Sequence, residues 1–487
     1  MQLRDLNQPG ARSPDAPQEL QRAQGIGENA TALTARAAAA DERLRALTEE
    51  KQLCAKAFGP AKRRGDDLAP LKLRMQDIGA AWVRAESDRD SATQELRVLL
   101  TPTNAAPVHD APVHDAPVHD KTERDHEPAP AVPSTYSSPV RITALQDDGR
   151  ADWQTYVDQH PRATLYHDVR WLDTIRNAFG HATNYLIARD GESATVCGVL
   201  PLVRQRSLLF GDFLTSLPFV NYGGALADSA AIELTLMDAA GQLGARLGVR
   251  HVEFRDTSLR AGWPCRDDKV AMHLALPEDP QALLAALGSK LRAQIRRPQR
   301  DGATVELRSG TTGTLAVLDE FYAVFAHNMR DLGTPVYAKH WFATICQAFA
   351  DQVTISIARV GGRAVGAGFL VRHRATMEIP WASTLRSTNS SGINMLLYWH
   401  HLEHAIRQGC RVFDFGRSTR DSGTFRFNQP WGAQPTPLYW HYWLPDGGEP
   451  PHLNPDNPRY KLAIAAWRRL PVWTTKMLGP PIVRSLP

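Results

Sequence analysis

The stretch from Arg411 to Trp443, RVFDFGRSTRDSGTFRFNQPWGAQPTPLYWHYW, decides how the rest of the chain is read. It starts as a short apolar strand, Val412, Phe413 and Phe415, interrupted by one carboxylate, Asp414. A charge buried in such a strand is costly without a partner, so Asp414 is expected to have one. A loop rich in glycine, hydroxyl groups and arginine is expected next, with Gly416, Arg417, Ser418, Thr419, Arg420, Ser422, Gly423 and Thr424. Glycines let backbone amides turn toward a ligand, and arginines beside them favour an anion. Phe425, Phe427 and Trp431 follow as alternating aromatics, and Leu438 to Trp443 reads as a closing strand. The same residues also suit a core strand, a surface turn and an edge strand with no ligand between them.

A chain of 487 residues, 43% hydrophobic and 22% charged, has room for more than one domain with real cores. Its net charge of +4 does not by itself imply nucleic-acid binding, so only local patches bear on that question. Cys54, Cys197, Cys265, Cys346 and Cys410 lie singly, without a CxxC or a metal-like spacing, which suits a reducing compartment. No apolar run approaches the roughly 20 residues of a membrane span. The opening MQLRDLNQPGARSPD lacks the apolar core of a signal peptide, and the cytoplasm is the expected location.

Residues 1–24 are polar and proline-bearing and are expected to be disordered. Residues 25–105 read as an antiparallel helical-hairpin coiled coil. A first helix, Ala32 to Phe58, carries Leu44, Leu47, Cys54 and Phe58 on one face, and Gly59-Pro60 breaks it. The second, from Leu68 to Leu100, repeats Leu68, Leu71, Met75, Ile78, Trp82 and Ala85 at alternating spacings of three and four. Lys56, Lys62, Arg63, Arg64, Lys72 and Arg74 crowd the tip, either as a solvated face or as a grip on a phosphate backbone. Residues 106–139 form a linker opening on three copies of Ala-Pro-Val-His-Asp. Repeated His and Asp can bind metal, but prolines that only space them leave the ligands unfixed, and no metal site is expected.

From Val140 strands and helices alternate in two similar series, 140–300 and 301–445, which argues for a duplicated α/β unit with a mixed sheet in each half. The first series gives strands at 184–188, 196–204, 251–255 and 270–276, and helices at 230–247 and 280–297. The second gives helices at 314–332, 338–350 and 392–408, and strands at 353–360, 364–372, 376–383 and 411–415. Residues 446–487 read as a basic, tryptophan-bearing tail.

Two resemblances sharpen this outline. The runs DERLRALTEEKQLCAKAFGPAKRRGDD, LKLRMQDIG and LRVLLTPTNAAP resemble the amino-terminal arm of seryl-tRNA synthetases. That arm binds the long variable arm of serine tRNA, which implies the same partner here, although none of the synthetase catalytic domain follows. Residues 140–487 resemble FemAB-type proteins, which double the N-acetyltransferase (GNAT) fold, and within them the group associated with exosortase and PEP-CTERM exopolysaccharide systems. The motifs are SLPFVNYGG, the basic stretch Arg292 to Arg297, FYAVFAHNMRDLGTPVY, IPWAST, NMLLYW, FDFGRST, NPRYKLAIAAWRRLP and LGPPIVRSLP. The resemblance implies a duplicated GNAT-like α/β domain, and an aminoacyltransferase moving an amino acid from a charged tRNA to an amine. Two departures stand out: Asn428-Gln429-Pro430 replace a lysine pair usual in the family, and Pro298 is expected to end the basic helix.

Transfer of an acyl group from an ester to an amine requires a deprotonated amine, donors for the oxyanion, and two substrates held together. No GxSxG elbow and no cysteine with a local histidine supports a covalent route. By the resemblance, Asp331 and Asp414 are candidates for the base, and Arg330 and Arg417 for holding negative charge. Asn221, Tyr222, Tyr337, Trp381, Ser383, Asn394, Ser418 and Trp431 are candidates for the substrate pocket, with packing or capping the competing role for Trp381 and Asn394. A coenzyme A pyrophosphate needs a glycine-rich turn before a helix. Asn389-Ser390-Ser391-Gly392-Ile393-Asn394 offers one glycine there. The expected donor is therefore aminoacyl-tRNA, with no bound cofactor. The alternative is an N-acyltransferase of exopolysaccharide assembly, with acyl-CoA still open as donor and the coiled coil serving to form a homo-oligomer.

Overall fold

The computed structural model describes residues 29, 31–50, 53–54, 57, 67–100, 139–207, 210–260, 262–420, 422–445, 447, 450 and 458–486. The chain divides into two compact units, Met1–Arg124 and Asp125–Pro487.

In the first unit, residues 31–50 and Ala69–Leu100 are helical. Arg36 pairs with Glu95 at 3.4 Å and Arg89 with Asp41 at 3.8 Å, and the Arg74 Nε donates to Glu50 at 2.8 Å. Ala40, Leu44, Ile78, Ala85 and Ala92 are buried. Lys56, Lys62, Arg63 and Arg64, the Lys72 side chain, residues 1–24 and nearly all of the 106–139 linker lie outside the described residues.

The described residues of the second unit hold fifteen strands: β1 (Arg141–Ala144), β2 (Ala182–Thr183), β3 (Leu186–Arg189), β4 (Val196–Leu200), β5 (Val203–Ser207), β6 (Gly211–Thr215), β7 (Leu226–Ala227), β8 (Val252–Asp256), β9 (Cys265–Ala275), β10 (Thr304–Ser309), β11 (Val353–Val360), β12 (Arg363–His373), β13 (Thr376–Thr384), β14 (Val412–Thr419) and β15 (Gln434–Trp443). Four form a small sheet, β1-β3-β4-β7, and eleven form a long one, β10-β11-β12-β13-β14-β9-β15-β8-β6-β5-β2. The fold is α/β with mixed pairing, but the expected separate sheet in each half is corrected: one sheet runs through both halves. The cause is an exchange. Strand β9, which closes the first half in sequence, pairs with β14, and β15, which closes the second, pairs with β8. The parallel pairs are β6 with β8 and β13 with β14, one in each half.

A bulge in β13 where its pairing with β12 shifts, between the pairs Val371–Glu378 and Phe369–Trp381, breaks the strict alternation, so residues 377 and 379 face one side of the sheet and 381 the other. Met377 and Ile379 join one core with Leu396, Leu397 and Leu402 of the helix Ile393–Arg407 and Leu291 and Ile295 of the helix Ser289–Arg300. Trp381 joins the other, with Phe321 and Phe325 of Gly310–Leu332 and Trp341, Phe342 and Ile345 of Lys339–Ala348. Away from these, the helix Ala230–Leu247 forms as read. Ser229 Oγ accepts from the Ile232 amide at its start, and Gly248, with φ 65°, turns the chain out at its end.

Two further expectations are revised, and two stretches read without a secondary structure acquire one. The loop expected after Phe415 is a continuation of β14 to Thr419, which a bulge opposite β9 and Gly416 at φ 80° make possible. Phe425 and Phe427, read only as alternating aromatics, lie in the short helix Gly423–Asn428, whose start Ser422 caps. The basic helix is two helices, Pro280–Ala286 and Ser289–Arg300, and Pro298 does not end the second. Proline removes only the bond its own amide would give to the Gln294 carbonyl, and within the last turn that is tolerated. The tail carries two helices, Pro458–Trp467 and Val472–Arg484, and the second buries Thr475, Gly479 and Val483.

Candidate active site at a fork between two parallel strands

Strands β13 and β14 are paired only over Thr376–Glu378 and Val412–Asp414. Beyond that point they part: Pro380 has no amide to give, and β14 bulges between Asp414 and Arg417. The last paired residues are both acids, Glu378 and Asp414. A cavity of about 420 Å³ opens beyond them, lined from the first half by Val220, Asn221, Arg255 and, on the exchanged strand, Trp440. From the second half come Tyr337, Trp381, Tyr398, Gly416, Arg417 and Ser418.

Arg417 is accessible from this cavity. Its guanidinium lies 4.7 Å from the Trp440 ring centre, and that of Arg255 lies 4.5 Å from the same ring. Arg255 is committed, with Nε on Glu253 at 2.8 Å and Nη1 on the Val220 carbonyl at 3.0 Å. Among the described residues no carboxylate pairs with Arg417. Enclosure by protein, and then the nearby Arg255 charge, push Arg417 down to about 10, so it stays cationic at neutral pH. Beside it, the buried Ser418 hydroxyl has no protein partner. An unpaired arginine over an indole ring, next to a free hydroxyl, is an arrangement for a carboxylate, phosphate or oxyanion.

The acid pair is enclosed by donors. Tyr222 donates to Asp414 Oδ2 at 2.8 Å, the Gly416 amide donates to Oδ1 at 2.8 Å, and His273 Nε2 stands 3.3 Å from Oδ2. Asn221 donates to Glu378 Oε1 at 2.6 Å. Burial first, and the Asp414 charge second, raise the Glu378 carboxyl well above its ordinary range. For His273 burial works downward, but the bond to Asp414 and its charge outweigh it and the imidazole is raised. A second cavity, of about 370 Å³, meets the pair from the other side, with Tyr166, Tyr222, His273 and Glu378 in its wall.

Of the residues singled out in the sequence, Asn221, Tyr337, Trp381, Arg417 and Ser418 line the first cavity, and Tyr222 and Asp414 stand directly behind it. The others are elsewhere. Asp331 pairs with Arg330 at 2.8 Å, while Arg330 Nη1 reaches the Leu470 carbonyl at 3.1 Å, a contact that ties down the carboxyl-terminal segment. Ser383 accepts from Asn328 at 3.0 Å. Trp431 is buried in the core below the helix Ile393–Arg407, and Asn394 sits in the first turn of that helix, outside both cavity walls. Sequence reading missed Glu378, Arg255, Trp440, His273 and Tyr166. For Glu378 the signal was present, one acid in an apolar strand, as at Asp414.

The turn before the helix Ile393–Arg407 is tightly packed. Gly392 has φ 84°, and a Cβ there would stand 3.0 Å from the Gln294 carbonyl, the one Pro298 leaves without its helical partner.

Residues 289–427, which contain the fork, match a family model described as an acetyltransferase (GNAT) domain. The chain therefore carries a GNAT-type acyltransferase domain. No curated protein matches the sequence. Among solved structures, FemX is similar at 12% identity and a TM-score of 0.45, over 61% of this chain and 96% of that one. A tandem GNAT protein from the clavulanic acid biosynthesis pathway is similar at 14% and 0.41, over 63% and 98%. L-PGS from Bacillus licheniformis is similar at 11% and 0.40, over 62% and 98%. Similarity at this level concerns the fold alone.

Proposed function

We propose that the protein is an aminoacyl-tRNA-dependent transferase that passes an amino acid, serine by the resemblance of its arm, to an amine of a small molecule or precursor. The observation that carries this reading is the unpaired Arg417 beside the Asp414–Glu378 pair at the parting of β13 and β14. In this scheme Arg417 and the Ser418 hydroxyl face the negative charge of the donor and then that of the tetrahedral oxygen. Asp414, held by Tyr222 and the Gly416 amide, takes the proton of the attacking amine, and His273 balances the carboxylate. The bond formed is an amide, the bond broken is the ester, and the released tRNA hydroxyl recovers a proton. The hairpin of residues 25–105 would hold the tRNA through Lys56, Lys62, Arg63, Arg64, Lys72 and Arg74, in the cytoplasm. The single glycine in residues 389–394, where a pyrophosphate-binding turn would need several, supports a donor other than coenzyme A.

A second reading, an acyl-CoA-dependent N-acyltransferase of exopolysaccharide assembly with the hairpin used for oligomerisation, is favoured by the GNAT match over residues 289–427. Seryl-tRNA and acetyl-CoA, each labelled in the acyl group and incubated with purified protein and a small-molecule cell extract, separate the two. Label leaving seryl-tRNA for an alkali-stable amide supports the first, and label leaving only acetyl-CoA supports the second.

A further inference from the structure

The carboxyl-terminal helices turn one face to the protein and another to solvent. Inward, Thr475, Gly479 and Val483 are buried, and a Cβ at Gly479 would lie 2.7 Å from the Val336 amide nitrogen. Two arginines pin the connection between the helices: Arg330 donates to the Leu470 carbonyl and Arg468 to the Leu332 carbonyl, each at 3.1 Å. The segment is therefore fixed in place.

Outward, it is apolar. Trp473, one helical turn from Met477, is 67% exposed, Met477 61% and Leu462 73%, with Leu478 and the adjoining Leu332 also open. A soluble surface rarely collects so many large apolar side chains in one short segment, and such a patch marks a contact site. The charges that the segment itself carries have one sign. Residues 458–487 contain Arg459, Lys461, Arg468, Arg469, Lys476 and Arg484 and no aspartate or glutamate. The acid at the end of the adjoining helix, Asp331, is already paired with Arg330.

We propose that this face is a membrane-surface contact that seats the protein on a bilayer with anionic headgroups. Tryptophan and methionine on one helix edge enter the boundary between headgroups and acyl chains, while arginine and lysine beside them meet lipid phosphates. The contact is peripheral: among the described residues no helix is long and apolar enough to cross a membrane. A protein partner of ordinary surface would have to supply acids for a segment that carries cations and no acid, and a socket for an indole, whereas an anionic bilayer supplies both in any orientation. The same helix leads to Val483 and Leu486 in the wall of the first cavity, so the face and the cavity share a support. The proposal does not depend on which acyl donor is used.

Co-sedimentation of the full chain with vesicles tests it. Phosphatidylcholine vesicles containing phosphatidylglycerol should pellet the protein, with at least about tenfold weaker partition to phosphatidylcholine alone and a steep loss in high salt. The pair W473S/M477S should lose at least about tenfold in partition to anionic vesicles at an unchanged melting temperature, and charge reversal at the exposed Arg469, R469E, should weaken it in the same direction. The proposal is overturned if wild type stays in the supernatant, or if W473S/M477S still pellets, which would assign the binding to another part of the chain. It is equally overturned if light scattering shows a dimer that W473S/M477S dissociates, for then the face belongs to a second copy.

Discussion

Glu378 and Asp414 are register partners on adjacent parallel strands, and neither is open to water: Glu378 is 4% exposed and Asp414 0%. Two acids at one buried step cannot both carry full charge without cost, and Glu378 is the one whose proton is retained above the ordinary range. The folded chain thus binds a proton that the unfolded chain has released. Stability is accordingly lost as pH rises from the usual carboxylate range through the raised Glu378 value. Glu378→Gln removes that titration while keeping an acceptor for Asn221. Thermal melts should therefore show the variant gaining on wild type between pH 5 and pH 8. A gap that stays constant with pH would assign the titration to another group.

Asp414→Asn should lower kcat by roughly 10²–10⁴ if Asp414 takes the amine proton, with little change in donor affinity. Tyr222→Phe, which removes one of its hydrogen bonds, should cost less. Rates of amide formation from labelled donor, read beside direct donor binding, check both. Equal losses in binding and rate for Asp414→Asn would instead indicate a collapsed pocket.

Arg417→Ala should reduce kcat/KM for the donor by about 10²–10³, the size expected when one charge-stabilising donor is lost. Arg417→Lys should recover little, because an ammonium group lacks the planar fork of donors that grips an anion at two points. Full recovery by lysine would show that charge alone matters there.

Gly392→Ala forces a side chain into a left-handed turn with no free space. The conformation costs about 1–2 kcal/mol, with the Gln294 contact adding to it. Urea denaturation should show a lower midpoint at an unchanged slope; an unshifted midpoint would mean that the turn has relaxed.

Patterns that depend on near neighbours were legible in the sequence. The helix Ala230–Leu247 and the strand Val353–Val360 fall on the bounds that periodicity sets, because capping residues and alternation are local properties. Asp414 and Arg417 stood out for a similar reason, as charges embedded in a hydrophobic and glycine-bearing run. What is set by partners far along the chain did not show. Arg255 and Trp440 face each other only because β15 lies against β8, 185 positions apart at the pair Arg255–Trp440, and no local pattern encodes that. The same holds for His273, which reaches Asp414 through the pairing of β9 with β14. Phe425 and Phe427 carried no assignment, because two alternating aromatics fit a half-turn of helix as well as an extended segment; the helix they occupy is capped by Ser422.

The traded strands β9 and β15 leave neither repeat whole by itself. A fragment stopping near residue 300 would have β8 bare along one side, and a fragment beginning there would have β14 in the same condition. The two halves are therefore expected to fold as one cooperative body, and neither to stand when expressed by itself.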